Sequence, residues 1–296
     1  MTNRHTIADV RRCPLDNGQP CDFTSLGSFI DKSGKVGEVS VIRCTRCGIG
    51  VSLPPLPDVA FLYDGRESQD FQPDARGLSH RIKDIAFRRQ ARALLRQLAH
   101  RPKAALDFGC GSGQFTRCLD DLLPCATVTG TDFHSEPPAE LAGRDYFPIA
   151  TASVHADAFD LVTAFHVLEH DDDPESLLNR IAALAAPGGT LVIEVPNIDC
   201  MWTRLLGQAW DAWYLPFHRI HFSRPALRAL IDNAGLTIEQ DIDICVPTMG
   251  RSLANAFGRP NSLPFLLAGI ALHPLQWLGE ALSGKPSAIR IIARKN

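Results

Sequence analysis

From residue 79 onward, the hydrophobic positions of the chain alternate between two spacings. Short runs of apolar and β-branched residues bounded by glycine, aspartate or proline are typical of buried strands, whereas apolar residues three and four positions apart predict helices. Strands that alternate with helices favour an α/β fold with one doubly wound, mostly parallel sheet of seven strands. The patterns predict strands at 105–108, 127–132, 145–149, 159–165, 190–195, 236–246 and 288–293, and helices at 79–100, 112–123, 174–186 and 223–234.

Two segments precede this α/β domain, which we place at 104–296. Residues 1–57 hold four cysteines and a strand-like run at 38–43, which predict a small ribbon. Residues 58–103 hold a polar segment, predicted to be a mobile loop, and then the first helix. Inside the domain, residues 247–285 form a strongly apolar insertion ahead of the last strand.

The cysteines of the first segment are spaced as ligands of one metal ion. Cys44 and Cys47 flank a two-residue turn, and Cys13 and Cys21 precede them, with Asp16 where a second paired cysteine would normally stand. A segment this short has too small a core to be ordered alone, and thiolates are the usual ligands of structural zinc. We therefore predict zinc bound by these four cysteines. The alternative is a ribbon without metal that keeps its fold by docking on the main domain.

A glycine-rich turn follows the first strand of the α/β domain. Gly109, Gly111 and Gly113 let the backbone turn tightly and approach a ligand, which predicts a nucleotide-like cofactor at the carboxyl end of the strand. A dinucleotide fingerprint would need its third glycine one position later, and Asp107 would repel a pyrophosphate. A carboxylate there suits a cofactor with an ammonium group. Asp132, at the end of the second strand, can accept the hydroxyls of a ribose.

Several further motifs occur in the order and spacing of one enzyme family. The chain resembles class I S-adenosylmethionine (SAM) methyltransferases over about residues 80–246, and especially the branch with ubiquinone-biosynthesis O-methyltransferases and natural-product and sugar methyltransferases. An N-terminal cysteine ribbon also occurs in that group. The motifs are Leu106-Asp-Phe-Gly-Cys-Gly-Ser-Gly113, Phe159-Asp-Leu-Val162, Phe165-His-Val-Leu-Glu-His170, Pro187-Gly-Gly189 and Val195-Pro-Asn197.

The resemblance implies a Rossmann-like sheet and a set of residues that bind SAM. Asp107 and the three glycines would line the methionine part, Asp132 would hold the ribose, and Phe133 would flank the adenine. His166 would lie near the sulfonium. The complete predicted cofactor site is Asp107, Gly109, Cys110, Gly111, Gly113, Asp132, Phe133 and Phe165.

Histidines are the candidate bases for removing a proton from an acceptor hydroxyl, since their pKa lies near neutral pH. We predict that His166 and His221 face the substrate and act in catalysis. The alternative is that both only form hydrogen bonds within their loops. His170 and His218 are further candidates. The alternative for His170 is that it only stabilises a turn together with Glu169.

A metal site is a second interpretation of the same region. In small-RNA 2′-O-methyltransferases, a Glu-x-x-Glu-His run and a later histidine bind a divalent ion that holds the acceptor hydroxyls. His166, Glu169, His170 and His218 resemble that arrangement, with histidine in place of the first glutamate. Three imidazoles and one carboxylate are a ligand set for zinc or another transition metal.

The charge balance argues against nucleic acid as the partner. The formal net charge is −3, so the arginines of the helix at 79–100 are expected to form a solvated face rather than an RNA contact. The first twelve residues are too polar for a signal peptide, and the cysteines beyond the ribbon are scattered singly, as in reduced cytoplasmic proteins. We therefore expect a cytoplasmic protein.

The insertion at 247–285 has four interpretations that the sequence leaves open. It could form one wall of a hydrophobic acceptor pocket, contact a second copy, pack on the domain, or attach to a membrane that holds a lipid-linked acceptor. Pro264, His273 and Pro274 interrupt its longest apolar run, so we expect no transmembrane segment.

The predicted function is SAM-dependent methyl transfer to a small molecule, at a hydroxyl oxygen of an aromatic or sugar-like biosynthetic intermediate. An RNA-directed 2′-O-methyltransferase that uses a divalent metal is one alternative. A non-catalytic protein that binds SAM, or nothing, and acts through a partner is another. The run Ala164-Phe-His-Val167 argues against amino methylation of a nucleobase, which usually needs an Asn-Pro-Pro-Tyr-like run there.

Overall fold

A computed structural model describes residues 13–15, 21–56, 59–64 and 77–296 of the chain. Asp16, the irregular position of the predicted metal ligands, lies outside the described residues. The first twelve residues and residues 65–76 of the predicted loop also lie outside them.

The described strands and helices follow the predicted alternation. The strands are β1 (Phe23–Phe29), β2 (Val39–Cys44), β3 (Gly50–Leu53), β4 (Ala104–Phe108), β5 (Thr127–Asp132), β6 (Tyr146–Pro148), β7 (Phe159–Phe165), β8 (Ala185–Pro196), β9 (Ile220–His221), β10 (Leu236–Ile244) and β11 (Ala288–Lys295). The helices are α1 (Leu78–Gln97), α2 (Gln114–Asp120), α3 (Pro174–Leu184), α4 (Met201–Leu206), α5 (Arg224–Asn233), α6 (Met249–Ala256) and α7 (Leu263–Ser283).

Seven strands form the main sheet in the order β10-β11-β8-β7-β4-β5-β6. Strands β6, β5, β4, β7 and β8 are parallel, and β11 and β10 join them antiparallel to their neighbours. The predicted seven-stranded, doubly wound sheet is thereby confirmed. The parallel strands place their carboxyl ends on one edge, where the turn after β4 and the loop after β7 meet.

Side chains that alternate along the strands fill two separate cores. Ala105 of β4 packs on the face covered by α1 and α2, whereas its neighbour Leu106 packs on the face covered by α3 and α5. Because both faces are covered, the central strands are apolar throughout, as the long run of β8 illustrates.

Most element boundaries differ from the prediction by a few residues, and two of these differences have a clear physical cause. Helix α2 begins at Gln114, because Gly113 lies at φ +75°, outside the helical region, and serves as the residue before the helix. Helix α3 ends at Leu184, and β8 already begins at Ala185 through pairing with Phe159. The predicted turn at Pro187-Gly-Gly189 is therefore an irregularity within β8.

The cysteine ribbon forms a second, antiparallel sheet in the order β1-β2-β3-β9. Its fourth strand comes from the main domain, since Val51 of β3 pairs with Ile220 and Gly50 pairs with His221. The neighbouring residue Phe222 forms a bridge to Asn197, just beyond β8. The ribbon is thus continuous with the segment that leads into α5.

A buried arginine fastens the ribbon to the loop after β7. The Arg219 side chain has no exposed surface, and its guanidinium donates hydrogen bonds to the Ser52 carbonyl at 3.2 Å and the Pro54 carbonyl at 2.5 Å. Its Nε lies 3.1 Å from the Asp172 carboxylate, and its backbone N–H donates to the Glu169 carbonyl at 2.6 Å. A buried charge with this many partners fixes the position of both segments.

The insertion folds as two helices, α6 and α7. Helix α7 is continuous for 21 residues, with Pro264 in its first turn and Pro274 inside it. The run is therefore longer and more regular than the sequence predicts. Among the described residues, α7 is the one helix long and apolar enough to cross a membrane by length and composition.

Candidate functional site

The glycine-rich turn closes tightly over the end of β5. Gly109, Gly111 and Gly113 all have positive φ angles, between +52° and +75°. The N–H groups of Gly109 and Cys110 both donate to the Thr131 carbonyl, at 2.8 and 3.0 Å. A Cβ at Gly109 would lie 2.6 Å from the side chain of Val167, whereas a Cβ at Gly111 would meet no atom within 4 Å. The turn thus packs against the loop after β7 on one side and opens to free space at Gly111.

Asp132 lies beneath that opening and is almost fully buried. Its two carboxylate oxygens accept hydrogen bonds from the N–H groups of Gly111 and Phe133, both at 2.8 Å. Burial raises the pKa of Asp132, although these two hydrogen bonds oppose the rise. A carboxylate has about four acceptor positions, so capacity remains for two hydroxyl donors.

Asp107 is buried between the sheet and α2. Its two oxygens accept hydrogen bonds from the hydroxyls of Thr116 at 2.6 Å and Thr163 at 2.8 Å. Burial raises the pKa of Asp107 to about 6, and the charge of Asp132 adds to this rise. Both oxygens already have protein partners, so contact with an ammonium group stays a prediction.

The three other predicted cofactor residues differ in exposure. Phe133 exposes 56% of its surface and lies 5.5 Å from the Tyr63 ring, so an aromatic face is available beside the turn. Cys110 is buried, and its sulfur packs against Gly130. Phe165 packs edge-on against Phe115 at 5.0 Å. Cys110 can therefore contribute only its backbone to a cofactor site in the turn. The cofactor role of Phe165 stays a prediction.

His166 follows β7 with a φ of +56°, an uncommon conformation for a non-glycine residue. Its ring lies between two buried carboxylates, with Nδ1 3.2 Å from Glu169 and Nε2 3.2 Å from Glu194. Burial opposes the charged ring, but the hydrogen bonds and charges of the two carboxylates prevail and raise the pKa of His166 to about 10. The ring is therefore protonated at neutral pH, with both nitrogens donating, which argues against its predicted use as a base.

The partners of His166 were not foreseen from the sequence. Glu194 forms an ion pair with Arg290 at 2.6 Å, and the two residues are directly opposite each other on β8 and β11. A signal was present, because each is the one charged residue within an apolar strand run, Leu191–Val195 and Ala288–Ala293. Opposite charges in two buried strands indicate an ion pair.

His221 lies in β9, within the ribbon sheet, and is buried. Its Nε2 is 3.0 Å from the hydroxyl of Ser52, and its ring packs edge-on against Trp213 at 5.2 Å. Burial lowers the pKa of His221 to about 3, and the charge of Arg219 adds to the effect. This environment favours the alternative that His221 stabilises its own segment.

A cavity of about 350 Å³ lies beside His166. Its walls come from β8, the 211–218 segment and the start of the insertion. Most of its lining surface is apolar, with a few charged and polar side chains among it, so it suits a small organic molecule with an apolar body and a few polar groups. The lining residues are His166, Pro196, Asp211, Ala212, Tyr214, His218, Val246, Thr248, Arg251 and Ser287.

His218 is the neutral imidazole of this cavity. Its Nδ1 lies 2.8 Å from the Ala212 carbonyl, which fixes the proton on Nδ1 and leaves a lone pair on Nε2. Burial lowers the pKa of His218 well below its usual value, and the charges of His170 and His221 add to the effect. The Nε2 atom is 3.9 Å from Glu169. A proton acceptor therefore faces the cavity next to a buried carboxylate.

Glu169, His170 and His218 bring one ligand atom each within 4.8 Å of one another. The His170 Nδ1 lies 3.1 Å from the Phe217 carbonyl and 2.8 Å from the Tyr63 hydroxyl, and the His218 Nδ1 lies 2.8 Å from the Ala212 carbonyl. The second carboxylate oxygen of Glu169 is buried and has no hydrogen-bond partner among the described residues. Imidazoles held through Nδ1 and a carboxylate oxygen without a partner are the donor set of a divalent metal site.

The cysteines of the ribbon also lie close together. The sulfurs of Cys13, Cys44 and Cys47 lie within 4.8 Å of one another, with 3.4 Å between Cys13 and Cys47. Cys21 packs against the same core. The hydrogen bond from the Cys13 thiol lowers the pKa of Cys47 to about 6, which favours a thiolate there.

The chain belongs to the family of methyltransferase domains. The model of that family, described as "Methyltransferase domain", matches residues 79–241, more than half of the chain. The matched region contains the glycine-rich turn, Asp132, His166 and the cavity histidine His218. The predicted resemblance to SAM-dependent methyltransferases is thereby confirmed.

Two relatives indicate the range of known activities. Trans-aconitate 2-methyltransferase of Variovorax paradoxus is 39% identical over 106 residues, which cover 32% of this chain and 40% of that protein. Ubiquinone biosynthesis O-methyltransferase of Aeromonas salmonicida is 36% identical over 106 residues, which cover 32% of this chain and 44% of that protein. The matched region spans less than half the length of either relative.

One solved structure with a similar chain path carries its ligands. It is the 1,6-didemethyltoxoflavin-N1-methyltransferase of Burkholderia thailandensis with 1,6-didemethyltoxoflavin and S-adenosylhomocysteine. The TM-score is 0.49 at 20% sequence identity, covering 84% of this chain and 96% of the other.

Proposed function

We propose that the protein transfers the methyl group of SAM to a hydroxyl oxygen of a small biosynthetic intermediate in the cytoplasm. The observation that carries this proposal is His218, a neutral histidine whose Nε2 lone pair is not used by the Ala212 contact and which lines the cavity beside His166. The loop after β7 links this cavity to the glycine-rich turn, because His166 lines the cavity and the next residue, Val167, lies against Gly109. Cofactor and acceptor would therefore meet at the carboxyl ends of β4 and β7.

The residues around the turn fit SAM. Asp132 has acceptor capacity for two ribose hydroxyls, and its buried position strengthens such hydrogen bonds. Gly111 leaves open space for the cofactor, and a side chain at this position would occupy that space. Phe133 offers an exposed ring for the adenine. When bound, SAM supplies a methyl group on a positively charged sulfur, and the bond electrons return to sulfur when an acceptor oxygen takes the methyl.

The histidines and carboxylates would have different roles at the acceptor hydroxyl. His218 Nε2 accepts the hydroxyl proton, and the nearby carboxylate of Glu169 stabilises the positive charge that the ring gains. His166, held between Glu169 and Glu194, orients the Glu169 carboxylate. The cavity walls would hold the acceptor so that its oxygen is aligned with the methyl group. This proposal replaces His166 and His221 by His218 as the base.

Methyl transfer from isotopically labelled SAM tests the proposal. Purified protein is incubated with phenols and sugar hydroxyls, with carboxylic acids and amines of similar size, and with RNA. We expect label on the hydroxyl compounds, since a neutral histidine is suited to remove their proton. Label confined to carboxylic acids or amines would refute hydroxyl methylation, and label confined to RNA would establish the RNA-directed alternative. SAM binding without transfer to any class would favour a non-catalytic protein.

A metal-assisted version of the same reaction is a second candidate. The observation that favours it is the Glu169 oxygen without a partner, next to His170 and His218. A divalent ion there would hold an acceptor oxygen and lower the pKa of its hydroxyl, so that no protein base would be needed. Elemental analysis of the protein and assay in the presence of a chelator decide between the two versions.

We further propose structural zinc at Cys13, Cys21, Cys44 and Cys47. Replacing Cys44 with serine should abolish zinc binding and lower the melting temperature by roughly 5–10 °C, because the metal contributes folding free energy to the ribbon. Elemental analysis and differential scanning calorimetry measure both effects. Cys125→Ser is the matched control, since Cys125 is an exposed free cysteine. A wild-type protein that contains no zinc and melts at the same temperature as the variant would contradict the proposal.

A further inference from the structure

Helix α7 of the insertion has an inverted distribution of polarity, with apolar side chains exposed and polar ones buried. Every exposed position of α7 between Leu263 and Leu282 carries an apolar side chain, including Trp277, which is 58% exposed. At about 100° per residue, the large ones fall within an arc of roughly 160° on one side of the helix. They are Leu263, Leu267, Ile270, Leu275, Trp277, Leu278 and Leu282.

The inward side of α7 is small and polar. Its buried residues are Gly269, Gln276 and Glu280. Gln276 donates to the Val246 carbonyl at 2.7 Å, and the Glu280 carboxylate accepts from the indole N–H of Trp202 at 2.9 Å and from the Ser287 N–H at 2.8 Å. These hydrogen bonds anchor the helix to the domain, so its apolar side stays turned outward.

Helices α6 and α7 approach each other through glycines. A Cβ on Gly250 would lie 2.4 Å from the Phe265 carbonyl, and one on Gly269 would lie 2.8 Å from the Gly250 nitrogen. Close backbone contact through small residues is typical of helix pairs in an apolar environment, where hydrophobic side chains gain nothing by turning inward. The close packing of the two helices and the exposed leucines of α7 therefore both indicate an apolar environment around this helix pair.

The charges around this surface have one sign. Arg259 and Lys285 are exposed, whereas Glu280, which carries the one carboxylate between 247 and 285, is buried and hydrogen-bonded. The third cation of the segment, Arg251, is already paired with the Asp211 carboxylate. A second copy that packed through the same surface would bring these cations together without a carboxylate from this segment to pair with them. An anionic lipid surface would pair with them while it accepts the apolar side chains.

We propose that α7 docks the protein on an anionic lipid bilayer, lying in the interface with its leucine-rich side in the acyl region. The helix is long and apolar enough to cross a membrane, but its inward hydrogen bonds keep it against the domain, so it lies on the bilayer. The docking does not depend on the proposed methyl transfer. Thr248 and Arg251, at the start of the same insertion, line the cavity beside His166, so docking would bring that cavity near the lipid surface.

Co-sedimentation with lipid vesicles tests the docking. The full-length protein is mixed with phosphatidylcholine vesicles with and without phosphatidylglycerol. We expect the wild type to sediment with the anionic vesicles and the Leu275→Asp/Leu278→Asp variant to bind at least about tenfold more weakly, since two apolar contacts are replaced by charges. Val154→Asp is the matched control, because Val154 is 77% exposed and lies outside the insertion; it should bind like the wild type.

The charge contribution is measured with Arg259→Gln and Lys285→Gln. Each should weaken binding to anionic vesicles by roughly fivefold and have no effect on neutral vesicles. Calorimetry with SAM on every variant reports whether the fold is intact, so a failure of docking is distinguishable from a failure of the proposed function. Wild-type protein that stays in solution with both vesicle types would overturn the proposal. So would a dimer, seen by light scattering, that Leu275→Asp/Leu278→Asp converts to monomer without any lipid binding.

Discussion

Replacing His218 with alanine is expected to lower kcat by about 10²–10⁴-fold, the range typical of a lost general base. SAM affinity should stay unchanged, because His218 lies in the acceptor cavity and contacts neither the turn nor Asp132. Single-turnover methyl transfer and calorimetry with SAM measure the two quantities separately. The separation matters, since a change of fold would reduce both together.

Variants of two further histidines distinguish a protein base from a metal ion and provide a control. His170→Ala should leave most of the activity if His218 acts as a base, but should abolish it if a metal ion held by Glu169, His170 and His218 activates the acceptor. His155→Ala is the matched control, because His155 stacks on Phe147 in the segment after β6, away from the cavity residues. Full activity of His218→Ala would refute both versions.

Replacing Asp132 with alanine is expected to weaken SAM binding by roughly a hundredfold. The substitution would remove two charge-assisted hydrogen bonds between the carboxylate and the ribose, each of which contributes about 1.5 kcal/mol or more to the binding free energy. Its hydrogen bonds to the N–H groups of Gly111 and Phe133 would also be lost, so the turn would be less well ordered before binding. Calorimetric titration with SAM and with S-adenosylhomocysteine gives the affinities.

Asp145→Ala provides the comparison for this effect. Asp145 is an exposed aspartate just before β6, the strand next to β5, so its loss removes a charge from the same region without touching the turn. Asp132→Asn retains the shape of the side chain but only one of its two acceptor oxygens, so it can keep one of the two backbone hydrogen bonds. We expect it to bind SAM more weakly than the wild type and more tightly than Asp132→Ala. Equal SAM affinity in Asp132→Ala and the wild type would contradict the assignment of this carboxylate to the ribose.

The sequence was sufficient for the sheet and for the turn, because both depend on local patterns. A buried parallel strand needs a continuous apolar run, and the turn needs glycine at the positions with positive φ, as Gly109 and Gly113 illustrate. These constraints act over a few residues and are visible in the chain itself.

The catalytic environment was less accessible, because it depends on contacts between distant strands. His166 was predicted as a base from its position after β7, but its protonation follows from Glu194 on β8, itself fixed by Arg290 on β11. His221 was predicted to face the substrate from its place before α5, yet a strand of two residues draws it into the ribbon sheet. Glu194 and Arg290 stand out as single charges in apolar runs, but nothing in the sequence brings them to His166, and a strand of two residues is too short to be predicted from a pattern.

The pairing of β9 with β3 gives the ribbon a role beyond holding a metal. Strand β9 immediately follows the segment with His218, and Arg219 joins the ribbon carbonyls to the loop that carries Glu169. A shortened protein that starts at the first long helix would leave the buried guanidinium group without its Ser52 and Pro54 acceptors and the edge of β9 unpaired. The candidate site therefore cannot be excised as an autonomous module, and exchanging the ribbon for that of another protein would disturb the segment that carries His218.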